Sequence, residues 1–136
     1  MKITIDEGAF KPTRAHDADA GLDLYARESD IVPARGSACF DTGVHVQIPE
    51  GFGGFLKSKS GLNVRHDIIS DGTIDSGYTG SIVAKLYNLG DTDYQVRRGD
   101  KITQLVITPV LLFGLEVVDT LEDTERGNGG FGSTGK

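Results

Sequence analysis

The sequence predicts an all-β protein: a jelly-roll-like distorted barrel or sandwich with one short helix and a flexible Gly-rich C-terminal arm. Three observations carry that expectation. Short runs of β-branched and aliphatic residues recur along the chain, turn signals separate them, and no segment keeps a convincing helical period. The 19 glycines suit a fold made of many strands and tight turns.

The expected strands lie at residues 3–5, 22–25, 44–48, 52–56, 82–87, 101–107 and 115–118. Val44-His45-Val46-Gln47-Ile48 alternates apolar and polar, as a half-buried strand does. Turn signals stand between them at Ala34-Arg35-Gly36, Pro49-Glu50-Gly51, Leu89-Gly90-Asp91 and Arg97-Arg98-Gly99-Asp100. The one expected helix is a turn or two following Ser58, with that serine as N-cap. No internal repeat or interdomain linker is visible. From about Asp119 the chain turns acidic and then Gly-rich, so the expected division is a body over 1–118 and an arm over 119–136.

A chain of 136 residues fits one domain with a modest core. No apolar run approaches the length of a membrane span, and Lys2, Asp6, Glu7 and Lys11 do not make the apolar region of a signal peptide. Cys39 is the only cysteine, which rules out an intrachain disulfide and fits a reducing, cytoplasmic setting, or a host's cytoplasm for a phage protein. His16, His45, His66 and Cys39 show no zinc-type spacing. The formal charge of −6 argues against a duplex nucleic-acid binder. It also means that a polyphosphate would need local cations or a bound metal to be attracted here.

The final segment reads Arg126-Gly127-Asn128-Gly129-Gly130-Phe131-Gly132-Ser133-Thr134-Gly135-Lys136. Its glycines leave the backbone free to approach a ligand, Arg126, Ser133 and Thr134 are phosphate-binding types, and Phe131 is its one large apolar group. Gly127, Gly129 and Gly132 fit G-x-G-x-x-G, but that motif needs a following helix, and only four residues follow Gly132. Two readings stand: a Gly-rich tail, or a lid that lays a ring on a base and donors on phosphates.

Four further constellations precede it. Asp23 sits between Leu22 and Leu24 in Ala20-Gly21-Leu22-Asp23-Leu24, alone on one strand face; it is either a solvated charge or a site group. Asp17, Asp19 and Glu28 miss a calcium loop, because Gly21 comes one place early and flanking helices are lacking. Ser58-Lys59-Ser60-Gly61-Leu62 offers either a helix cap or an anion site. In Gly72-Thr73-Ile74-Asp75-Ser76-Gly77-Tyr78-Thr79-Gly80, a carboxylate and a ring lie three residues apart on a Gly-rich hairpin, an ordinary turn or a site for a general base. Gln104, between apolar neighbours after the Gly99 turn, needs a partner from protein or ligand.

Taken in order with the terminal segment, these five stretches resemble the trimeric all-β deoxyuridine triphosphatases (dUTPases). The matching motifs are residues 20–24, 59–62, 72–80, 99–104 and 126–135, so the resemblance covers nearly the whole chain. It implies hydrolysis of dUTP to dUMP and pyrophosphate, which limits uracil in DNA and supplies dUMP for thymidylate synthesis. It gives Asp75 the activation of a water that attacks the α-phosphorus, and Asp23 a water-mediated hold on Mg²⁺. Gly72, Thr73 and Ile74 would read uracil through the main chain, and Tyr78 would pack under deoxyribose. Lys59, Ser60, Gly61 and Gln104 match phosphate contacts. Arg126, Gly132, Ser133 and Thr134 match the terminal-phosphate grip, and Phe131 the ring over uracil.

The resemblance also implies a homotrimer with shared sites. An extended stretch over 119–136 would reach roughly 50–60 Å at ~3.3 Å per residue, enough to close a neighbour's site. Two positions depart from the family pattern: Lys59 stands where Arg is usual, and Asn63 where a small residue is common. Two rival readings are a dCTP deaminase of the same fold and a dUTPase-fold protein with an added regulatory protein partner.

Overall fold

The computed structural model describes residues 1–130. Nine strands and one helix lie among them: β1 Lys2–Ile5, β2 Gly21–Tyr25, β3 Asp30–Val32, β4 Ser37–Gln47, β5 Phe52–Ser58, α1 Ser60–His66, β6 Ile68–Ile74, β7 Ser81–Asn88, β8 Tyr94–Val96 and β9 Lys101–Pro109. Seven strands form one antiparallel sheet in the order β1-β4-β7-β6-β5-β9-β2, curled into a half-barrel, and β3 pairs with β8. The all-β expectation with one short helix holds. No helix among the described residues is long and apolar enough to cross a membrane.

Alternation sets the inside of the curl. β7 turns Ile82, Ala84, Leu86 and Asn88 inward, and β4 turns Phe40, Thr42, Val44 and Val46 to the same interior. Leu24, Leu56, Ile102 and Leu105 fill it from the other side of the sheet. Asn88 is a polar member of this core, 2% exposed. Its amide donates to the carbonyls of Val32 and Thr92 and accepts from Gly90 N–H, so it ties β7 to β3 and to the loop before β8.

β6 makes the break that shapes the molecule. Its first half pairs with β7 (Ile68↔Asn88 to Ser70↔Leu86), whereas its second half pairs with β5 (Lys57↔Asp71 to Gly54↔Ile74). β7 continues instead along β4. The 72–80 hairpin of the sequence is therefore split at its base, and residues 75–80 bridge the opening. Sequence reading missed β3, β6 and β8, and gave β4 only its second half.

Two local expectations are corrected. Residues 115–118 form no strand: Leu115 and Val117 are 97% and 99% exposed, and no strand pairing includes them. Among the described residues, regular structure ends at Pro109. Ser58 does not cap α1, whose N-cap is Lys59 with no side-chain cap. The Ser58 hydroxyl instead donates to the carbonyl of Ser70 and accepts its N–H, stapling β5 to β6.

An Asn88→Ala substitution removes three hydrogen bonds and orphans two carbonyls and an N–H. It should lower stability by about 2–4 kcal/mol, read from urea midpoints at fixed protein concentration. A loss below about 0.5 kcal/mol would show that the tie between sheet and β3 is dispensable.

Candidate active site

Register builds the site. Asp23 of β2 lies opposite Gln104 of β9, Gln104 opposite Lys57 of β5, and Lys57 opposite Asp71 of β6. Directly opposed residues share a face, so these four form one polar row across four strands. The next positions, Leu22, Leu105 and Leu56, also stand opposite one another and turn to the core side.

A cavity of about 330 Å³ opens over the row, lined by Gly21, Asp23, Lys57, Lys59 and Gln104, with Ala15, Asp19 and Ala20 on its rim. Gly21 makes room for it: a Cβ there would strike the Gln104 side-chain amide. Gln104 donates its amide to the carbonyl of Ser58 at 3.0 Å, which fixes the chain just before Lys59. The partner anticipated for Gln104 is thus a protein group.

Asp23 is 4% exposed rather than solvated. Lys59 Nζ pairs with its Oδ1, and Lys101 Nζ lies 2.8 Å from its Oδ2. Burial pushes the Asp23 carboxyl up, but hydrogen bonds and charge from Lys101 and Lys59 outweigh it, so the group ionises below its usual range. The same contact raises Lys101. Lys101 also stands 5.9 Å from the Tyr25 ring centroid and is not among the residues lining the cavity. Sequence reading quoted Lys101 and gave it no role. The signal that brings it to Asp23 is a bulge between Leu24 and Tyr25, which shifts the β2–β9 register by one residue and is not visible in the chain. Lys57, also unassigned, makes an exposed pair with Asp71 at 2.6 Å.

The other motif residues lie elsewhere in the chain. Ser60 and Gly61 open α1 and are exposed, and Asn63 lies exposed within it. Gly72, Thr73 and Ile74 finish β6, with Ile74 in the core. Asp75 stands exposed at the head of the bridging loop, its carbonyl accepting Tyr78 N–H at 3.0 Å. Tyr78 donates its hydroxyl to the Ser81 carbonyl at 2.9 Å, and its ring lies where a Gly80 Cβ would be. Arg126 is exposed and donates to the Gly129 carbonyl. Asp75, Tyr78 and Arg126 are not among the residues lining the cavity. Phe131, Gly132, Ser133 and Thr134 lie outside the described residues. Among the described residues, no group of three or more His, Cys, Asp or Glu side chains could hold a metal.

Asp23 has a folded-state pKa below the usual value, so its contribution to stability is present above about pH 3.9 and is lost as pH falls through the folded value. Asp23→Asn should therefore flatten the loss of stability as pH falls below about 3.9, measured by thermal melts. At pH 7, Asp23→Ala should cost about 1–3 kcal/mol, because two ammonium groups then face each other unpaired. Identical acid profiles for Asp23→Asn and the parent would refute the charge assignment.

The dUTPase family model matches residues 8–135. The deoxyuridine 5'-triphosphate nucleotidohydrolase of Clostridium acetobutylicum is 42% identical over 134 residues, covering 96% of this chain and 92% of its own. That of Paramecium bursaria Chlorella virus 1 is 41% identical over 130 residues, covering 95% and 92%. A Staphylococcus bacteriophage 80alpha dUTPase solved with dUpNHpp superposes with a TM-score of 0.88 at 30% identity, covering 99% of this chain and 98% of its own. A phage phi11 dUTPase described with a structural Mg(II) ion gives 0.81 at 29%, covering 90% and 98%. By the family model over residues 8–135 and by relatives about 40% identical along the chain, the chain belongs to the dUTPase family.

Proposed function

We propose that the chain hydrolyses dUTP to dUMP and pyrophosphate by attack of an Asp75-bound water on the α-phosphorus. The observation that carries this reading is the agreement between the cavity and the motifs: Gly21, Asp23, Lys59 and Gln104 line one cavity and come from three of the five motif stretches. Sequence identity of about 40% along the chain to curated dUTPases supports the reaction itself.

Asp75 accepts the proton of the water and aims its lone pair; positioning supplies much of the rate. Lys59, with Ser60 and Gly61 at the start of α1, neutralises phosphate oxygens, and Gln104 supports that turn through Ser58. The main chain at Gly72, Thr73 and Ile74 reads the uracil edge. A wrong base there leaves buried polar groups unpaired, which penalises cytosine strongly. Tyr78 packs under the sugar and leaves no room for a 2′-hydroxyl. Arg126, Gly132, Ser133 and Thr134 grip the terminal phosphates, and Phe131 covers the base.

Mg²⁺ fits this site only as a companion of the triphosphate. Asp23 is the carboxylate of the row that pairs with Lys59, Asp71 being paired with Lys57, and each Asp23 oxygen retains a lone pair beyond its lysine contact, enough to hold a metal-bound water. When bound, the ion neutralises charge on the phosphates. Asp23 orients, and Lys101 compensates its charge when Lys59 turns to a phosphate.

The sites are shared in a homotrimer. Two observations support this: Asp75 does not line the cavity of its own chain, and Leu111, Leu112, Phe113, Leu115, Val117 and Leu121 are all exposed. Exposed apolar residues gathered in one stretch of chain fit an association surface.

Pyrophosphate release should be measured with dUTP, dTTP, dCTP and UTP in magnesium buffer. Turnover of dUTP at least about 100-fold above the other three is expected; equal turnover of all four, or ammonia released from dCTP, would sink the proposal. Asp75→Asn should lower kcat by about 10²–10⁴-fold while a non-hydrolysable dUTP analogue still binds.

A further inference from the structure

A second set of charged groups, outside the cavity, holds the loop that carries Asp75. β4 loses its register with β7 between Asp41 and His45, so His45 stands between Thr4 of β1 and Ser81 of β7. Its ring meets two acceptors. Nδ1 lies 2.9 Å from the carbonyl oxygen of Thr79, and Nε2 lies 3.2 Å from Oδ1 of Asp6. A carbonyl has no hydrogen to give, and an ionised carboxylate has none either. A neutral imidazole carries one N–H and satisfies only one of these contacts; the imidazolium satisfies both.

The neighbours favour the charged ring. Asp6 faces it from the end of β1, and Asp41 from across the bulge of β4. Against them stand Arg27, paired with Asp6 Oδ2 at 3.2 Å, and Lys2, which lines the same groove as His45 and Thr79. The hydrogen bond to Thr79 raises the imidazole most, partial desolvation opposes it, and Asp6 and Asp41 add to it, leaving the ring more basic than usual.

The bridging loop is tied at several points: Tyr78 N–H to the Asp75 carbonyl, Tyr78 hydroxyl to the Ser81 carbonyl, Ser81 hydroxyl to Asp41, and Thr79 carbonyl to His45. The tie to His45 is the one whose donor titrates near neutral pH. We propose that His45 is a positioning residue for hydrolysis: as an imidazolium braced on Asp6 it holds the Thr79 carbonyl, and with it the loop bearing Asp75 and Tyr78, whereas the neutral ring keeps its single N–H on the Asp6 carboxylate, the stronger acceptor, and releases Thr79. The inference rests on the assignment of Asp75 and Tyr78 to the reaction, and His45 touches no reacting atom. Because the folded-state pKa is raised, the brace is complete below the usual value of about 6.5 and is lost as pH rises through the folded value.

The test uses the full chain. Imidazole ¹⁵N shifts of His45 and amide shifts of Tyr78 and Gly80 are followed from pH 5 to 10, beside kcat and KM for dUTP in the parent, His45→Gln and Asp6→Asn. Both ring nitrogens should be protonated at pH 6, and the loop amides should move with the His45 midpoint. Across that midpoint kcat should fall about three- to tenfold, since misplacing a general base costs rate more than binding. His45→Gln, whose amide can still donate to Thr79 but does not titrate, should remove the step, and Asp6→Asn should move it to lower pH. A ring already neutral at pH 6, loop shifts that ignore His45, or an unchanged step in His45→Gln overturns the proposal. Absence of dUTP turnover at every pH would instead refute the assigned reaction, while the shifts still judge the brace.

Discussion

Asp23, Gln104, Lys57 and Asp71 stand side by side because β2, β9, β5 and β6 pair in one fixed register. Everything proposed for the cavity depends on that row. A slip of one residue in β9 would put Leu105 and Thr103 over the cavity and bury Gln104 in the core. Burial prevents such a slip: Leu24, Leu56, Leu105 and Thr103 are 2% exposed or less on the opposite face. The apolar face thus sets the position of the polar one, and stability and site geometry come from the same alternation.

Local charge explains how an acidic chain can offer the proposed phosphate site. The formal charge is −6, yet the buried Asp23 meets two ammonium groups, one from β9 and one from the turn before α1. These pairs keep Asp23 ionised despite burial. They also hold Lys59, which lines the cavity, beside the place where a triphosphate would lie. Lysine in place of the family's usual arginine keeps the charge and gives up a two-pronged grip. A single ammonium can exchange one oxygen partner for another, which suits a group shared between Asp23 and substrate.

Strand identity was legible where alternation was clean, as at Val44-His45-Val46-Gln47-Ile48. It failed at β6, whose end was taken into the Gly-rich 72–80 hairpin, because its pairing passes from β7 to β5 midway and each half is too short to show a period. It failed in the other direction at 115–118, where apolar residues gave a strand signal with no partner among the described residues. The motif residues Asp23, Lys59 and Gln104 were found from their order along the chain and do meet. Lys101 and His45 were not found, because each acts through a bulge, and a bulge is a property of two strands at once.

The same division runs through the candidate site. One chain supplies the cavity on the β2–β9–β5 face, proposed for the phosphates, and, apart from its lining, a loop with Asp75 and Tyr78. The account's central claim is that these halves meet across chains. It is tested most directly by refolding equal amounts of Asp75→Ala and Lys59→Ala chains together and measuring pyrophosphate release from dUTP. If cavity and loop come from different subunits, about a quarter of the sites in randomly mixed trimers carry both intact residues, and activity should rise well above either parent. Mixed trimers confirmed by native mass spectrometry, yet no more active than the parents, would contradict it.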